Sequence, residues 1–129
     1  AVVDRFRTER AELGDVSYAV RVDGAAVGGT GLRTRRGPGS LEIGYWIDAA
    51  HRGRGLVPRV ASLLTDAAFE IPGITHVETP CDAANDASRR VPEKLGYTLV
   101  GTRTVPIKAP SETGTHLVHR ITREQWLSR

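Results

Sequence analysis

The sequence predicts a mixed α+β fold: a central, mostly antiparallel sheet with helices covering its faces. Three observations predict it. Apolar residues switch between a period of two and a period near 3.6 along the chain, giving the order (α)–β–β–β–α–β–α–β–β. Asp23-Gly24 separates two strand-like runs, a strong hairpin signal that sets an antiparallel meander early in the sequence. Further on, strands alternate with helices, which implies β-α-β units and at least one parallel pair. The chain of 129 residues fits a single domain spanning 1–129 and is long enough to bury one core without staples.

Residues 1–13, AVVDRFRTERAEL, read as the tail of an amphipathic helix ended by Gly14. They carry no N-cap, and the chain contains no methionine, so the expectation is an N-terminally incomplete domain lacking its first strand and helix. Val16–Val22 is a strand, Asp23-Gly24 the turn, and Ala25–Thr34 its partner, whose glycines suggest a bulge or a close backbone approach. Arg35–Ser40 is a turn. In Leu41–Ile47 the residues Leu41, Ile43, Tyr45 and Ile47 share one face, and Glu42, Gly44 and Trp46 share the other.

After the loop DAAHRGRG a helix runs from about Val57 to Glu70, with Val60, Leu64, Ala67 and Ala68 at helical spacing and Pro58 in the first turn. Pro72-Gly73 stops it, and Ile74–Cys81 is a strand. Asn85 is an N-cap for a helix reaching Leu95, with Gly96 as its C-terminal punctuation. Pro92 removes the amide that would bond the Ser88 carbonyl, so a kink is expected there. The runs YTLVGTRTVPI and THLVHRI form the last two strands around the loop KAPSETG, and Thr122 caps a final helical turn.

Composition narrows the function. Hydrophobic residues make up 40% and charged residues 26%, ordinary for a globular domain. All but two of the 18 basic residues are arginine, a bias that genome composition also produces. The formal net charge of +3 does not demand a nucleic-acid partner. One cysteine, Cys81, excludes an internal disulfide framework and a cysteine-rich metal site. No run approaches about 18 apolar residues, so no membrane span is expected.

The chemistry-bearing segment is His51-Arg52-Gly53-Arg54-Gly55-Leu56-Val57, set between a strand and a helix. Glycines permit tight turns, the helix start presents unpaired amides, and Arg52 and Arg54 add positive charge. It is neither a P-loop nor a dinucleotide fingerprint. Alone it reads as a solvated loop or as an anion cradle. Together with Asn85-Asp86-Ala87-Ser88 and Glu93-Lys94-Leu95-Gly96-Tyr97, it resembles the GNAT acetyltransferase superfamily over nearly the whole chain. The pattern is most similar to the branch of ribosomal-protein N-terminal acetyltransferases.

That resemblance implies a GNAT fold and acetyl-CoA bound where two parallel strands splay apart. It implies a pantetheine arm along Trp46 and Ile47, and a pyrophosphate held by the amides of Arg52, Gly53, Arg54, Gly55, Leu56 and Val57. Asn85 would contact the pantetheine or the facing strand, and Arg89 or Arg90 would reach the nucleotide. Glu42 is the expected general base and Ser88 the expected acid, because Pro92 stands where many relatives carry tyrosine. Glu42 also reads as a solvent-facing carboxylate and Ser88 as a capping partner. The acceptor is an amine, either a small molecule or a protein N-terminus, and Glu112 is placed to face a cationic one. No metal, membrane or nucleic acid is expected. A homodimer and a bacterial, cytoplasmic setting complete the expectation. The alternatives are a catalytically weak acyl-CoA-binding module on the same fold and an arginine-rich nucleic-acid binder.

Cys81 reads as a core residue rather than a nucleophile. His116 and His119 lie three apart on one strand and so face opposite sides.

Overall fold

The computed structural model of the chain describes residues 2–5, 16–34, 37–48, 50 and 55–129. Its strands are β1 (Val2–Arg5), β2 (Val16–Val22), β3 (Ala25–Arg33), β4 (Ser40–Ile47), β5 (His76–Asp82), β6 (Thr98–Thr104) and β7 (Thr115–Thr122). The helices are α1 (Leu56–Glu70), α2 (Asp86–Lys94) and α3 (Arg123–Leu127). The strands form one sheet in the order β1-β2-β3-β4-β5-β7-β6. Every neighbouring pair is antiparallel except β4 with β5.

The β2–β3 hairpin turns on Asp23 and Gly24, both at positive φ, the conformation a two-residue loop needs to match strand twist. The expected bulge lies in β3, where Val27 is the extra residue opposite the Val20–Arg21 step of β2. At the start of the chain the structure corrects the sequence expectation. Val2–Arg5 is a strand, pairing Val2 with Arg21 and Arg5 with Tyr18 along the edge of β2. Two β-branched residues suit that edge. The rest of the expected helix, residues 6–13, lies outside the described residues.

The steps β4–α1–β5 and β5–α2–β6 move the same way along the sheet. Crossovers of one hand therefore place both helices on one face, and α1 packs against α2. Between this face and the helices lies the core: Leu41, Ile43 and Ile47 of β4, Val77 of β5 and Ile121 of β7 meet Val60, Leu64 and Ala68 of α1. Each burial of a valine, leucine or isoleucine there contributes about 1.5–3 kcal/mol.

Helix α3 joins the same layer. Its buried Trp126 donates from Nε1 to Asp66 of α1 at 2.8 Å. Thr122 and Gln125 form a reciprocal capping box. Arg123 donates to the carbonyls of Phe69, Ile71 and Ile74, which closes the C-terminal end of α1. Helix α2 runs on past Pro92 to Lys94. The opposite face, for which a helical cover is also expected, carries Glu42, Glu78, Arg120 and Trp46 among the described residues.

Candidate functional site

The parallel pair β4–β5 lasts only from Ser40 opposite His76 to Glu42 opposite Glu78. Beyond those residues β4 continues to Ile47 with β3 as its partner, and β5 continues to Asp82 with β7. The strands thus part, and each turns toward the gap an edge along which no neighbouring strand runs. A cleft of about 520 Å³ opens there, walled by Tyr45, Trp46 and Ile47, by the first turn of α1, and by α2.

Helix α1 begins at Gly55, whose φ of 73° is left-handed, and no side chain caps it. The first-turn amides therefore have no partner within the helix, Pro58 excepted, because it has none. No acidic residue stands in that turn, so the dipole leaves the cleft positive at this end. Arg90 and Lys94 of α2 line the same cleft and add charge. The arrangement suits an anion.

Of the residues singled out from sequence, Trp46, Ile47, Gly55, Leu56, Val57, Asn85 and Ser88 come together in this cleft. Arg52, Gly53 and Arg54 lie outside the described residues. Asn85 caps α2, its Oδ1 accepting from the Ser88 amide at 3.1 Å. Arg89 does not line the cleft and pairs with Asp86 at 3.3 Å on the helix surface. Its neighbour Arg90, the other arginine expected to reach the nucleotide, lines the cleft.

Glu42 is buried just before the strands part and does not line the cleft. Its carboxylate accepts from Arg103 at 3.2 Å, so it is not the solvent-facing carboxylate of the simpler expectation. Beside it across the parallel pair, Glu78 accepts from Arg120 at 2.8 and 3.1 Å. Glu112 is also placed differently from expectation. Its Oε1 accepts from the amides of Lys108 and Ala109, so the carboxylate is turned into its own loop.

Sequence reasoning missed Tyr45 and Lys94. Tyr45 was legible as a core-face residue, yet it also walls the cleft. Burial pushes its hydroxyl up to about 12, so it stays protonated at neutral pH. Burial likewise raises the Cys81 thiol, even against the nearby Arg89, which disfavours a thiolate there. His119 is fully buried, with Nε2 3.5 Å from Glu93, while His116 is half-buried. Among the described residues no group of three could hold a metal, and no helix is long and apolar enough to cross a membrane.

A family model described as an acetyltransferase (GNAT) domain matches residues 1–98. YdaF of Bacillus subtilis, named as a ribosomal N-acetyltransferase, is 28% identical over 74% of this chain and 53% of its own length. YjcK of the same organism, named as an N-acetyltransferase, is 33% identical over 61% of this chain and 44% of its own. The chain thus spans about half the length of the curated relatives it matches. Among solved structures, RimJ of Mycobacterium smegmatis with CoA-disulfide superposes with a TM-score of 0.76 at 24% identity, over 89% of this chain and 57% of that one. The aminoglycoside acetyltransferase AAC(6')-Ib with coenzyme A gives a TM-score of 0.75 at 22% identity, over 92% and 72%. At those identities the likeness concerns the fold.

Proposed function

The chain belongs to the GNAT acetyltransferase family, and from that premise we propose that it transfers an acetyl group from acetyl-CoA to a primary amine by direct attack in a ternary complex. One observation carries the reading: the parted strands and the uncapped start of α1 open into the same cleft. The edge of β4 at Trp46 and Ile47, which faces the cleft, suits the amide-bearing pantetheine arm. The amides of Leu56 and Val57, with Arg90 and Lys94, suit the pyrophosphate. Acetyl-CoA supplies the acetyl group as a thioester.

The amine must be neutral to attack, so its ammonium proton has to leave first. Glu42 is the base, acting through water because its carboxylate stands back from the cleft. Arg103 holds that carboxylate in place. Ser88, which lines the cleft at the start of α2, is the acid for the leaving thiolate, a role Pro92 cannot take. The relatives' names cover both a ribosomal protein and aminoglycosides, so the acceptor class extends to protein N-termini and small-molecule amines.

Titration calorimetry with acetyl-CoA and a thiol-release assay over an amine panel test this. Glu42→Gln is expected to lower kcat roughly 100-fold at neutral pH while acetyl-CoA affinity changes less than about threefold. Unchanged turnover removes Glu42 as base. The buried Pro92 in place of a phenol favours the second reading, a weak acyl-CoA-binding module. Binding without turnover on any amine selects it.

A further inference from the structure

The sheet face opposite the helices carries a guanidinium with no partner among the described residues. Arg33 ends β3 directly opposite Glu42 on β4, but the Glu42 carboxylate is taken by Arg103. Arg33 instead lies along β4: a Cβ placed on Gly44 would sit 3.4 Å from its Nη1. The side chain is half-buried, so it has lost part of its hydration without gaining an acceptor.

Next along the same face of β4 stands Trp46, 62% exposed. Its indole lies across Gly29 of β3, where an added Cβ would come within 2.7 Å of Nε1. Gly31 and Gly29 oppose Gly44 and Trp46 in the strand register, so no side chain from β3 rises between guanidinium and indole. Trp46 also walls the cleft between the parted strands.

A lone guanidinium presents a planar fork of donors that matches a carboxylate in two parallel hydrogen bonds. It repels an acceptor carrying a second ammonium. Resting on the transferase reading above, we infer that Arg33 and Trp46 form the acceptor subsite, and that the amine it takes also bears a carboxylate. The carboxylate sits on Arg33, the carbon skeleton against the indole, and the amine is directed toward the cleft.

The test uses matched pairs: phenylalanine, leucine and β-alanine, each against its own amide. Trp46 is the exposed one of two tryptophans, and its emission reports binding without turnover. At least one acid is expected to bind on the order of tenfold more tightly than its amide. Arg33→Gln erases that preference, and Arg33→Lys, a point charge without the fork, restores part of it. Amides turn over with more neutral amine at a given pH, so the kcat/KM comparison is biased against this outcome.

Equal or tighter binding of every amide, or a preference that survives Arg33→Gln, overturns the inference. Acetylation of amides and acids with no difference in their binding leaves the transferase reading standing and removes this subsite. An Arg33-dependent preference with no turnover on any amine keeps the subsite and removes the transferase reading.

Discussion

Arg103 and Arg89 make ion pairs of the same chemistry in different surroundings. The Arg103–Glu42 pair has side chains 20% and 9% exposed, and Arg103 reaches it from β6 at the far edge of the sheet. The Arg89–Asp86 pair is 41% and 64% exposed, one helical turn apart. Water screens the second and hardly reaches the first. Arg103→Met is therefore expected to cost about 1–3 kcal/mol in chemical denaturation, and Arg89→Ala less than about 1 kcal/mol. Equal costs would mean that Glu42 finds another donor once Arg103 is gone. The same two arginines mark a limit of the sequence. Whether Arg89 or Arg90 meets the cleft depends on helical phase, and one residue is a rotation of about 100°. The cap that sets the phase was legible at Asn85, but not the angle at which α2 lies on the sheet.

Among the elements, β3 shows best how a strand's composition builds the site. Gly28 and Gly29 both face β4 at close quarters, with different things in front of them. A Cβ on Gly28 collides with the Trp46 carbonyl oxygen, which is backbone, whereas a Cβ on Gly29 meets only the Trp46 indole. Gly28→Ala must push two paired strands apart and is expected to lose about 1–3 kcal/mol. Gly29→Ala can be relieved by swinging a side chain, so it should cost less while shifting the emission of Trp46. Urea melts and fluorescence spectra read both. A large loss at Gly29 with no spectral change would remove the indole shelf. Glycine in a strand announced a close approach or a bulge, and β3 has both, with Val27 the extra residue opposite the Val20–Arg21 step of β2. The local signals were legible throughout: the Asp23-Gly24 hairpin, the start of α1, the Asn85 cap and the Thr122 capping box. The N-terminal strand was not, because Val2–Arg5 owes its form to pairing with β2, residues away in sequence, and its apolar spacing also suits a helix.

Across the whole molecule the site is made from separate stretches that only the sheet brings together. Both motifs were legible because each lies in one continuous loop-and-helix start. Arg33 and Tyr45 were not, since their roles come from strand register. Asp82 is where such distant pieces are fastened. It ends β5; its Oδ1 accepts from the Ala84 amide at 2.9 Å, and its carbonyl accepts from Asn85, the cap of α2. From the other side the Thr113 amide and hydroxyl donate to the same carboxylate at 3.0 and 3.1 Å. One carboxylate thus joins the β5–α2 turn beside the cleft to the loop between β6 and β7. The Ala84 amide and then the Thr113 donors hold Asp82 below its ordinary value of 3.8. A depressed folded value contributes stability above the unfolded value, and that contribution is lost as pH falls through the folded one. The loop should therefore stay fastened from neutral pH down to about 4 and loosen only below it. The Thr113 amide shift, followed by NMR, is expected to be flat over the upper range and to titrate with a midpoint below 3.8. Asp82→Ala should free that amide to exchange at neutral pH while the core amides of α1 stay protected. A midpoint at or above the ordinary value, or unchanged Thr113 exchange in the variant, would mean that the loop is held by β7 pairing alone.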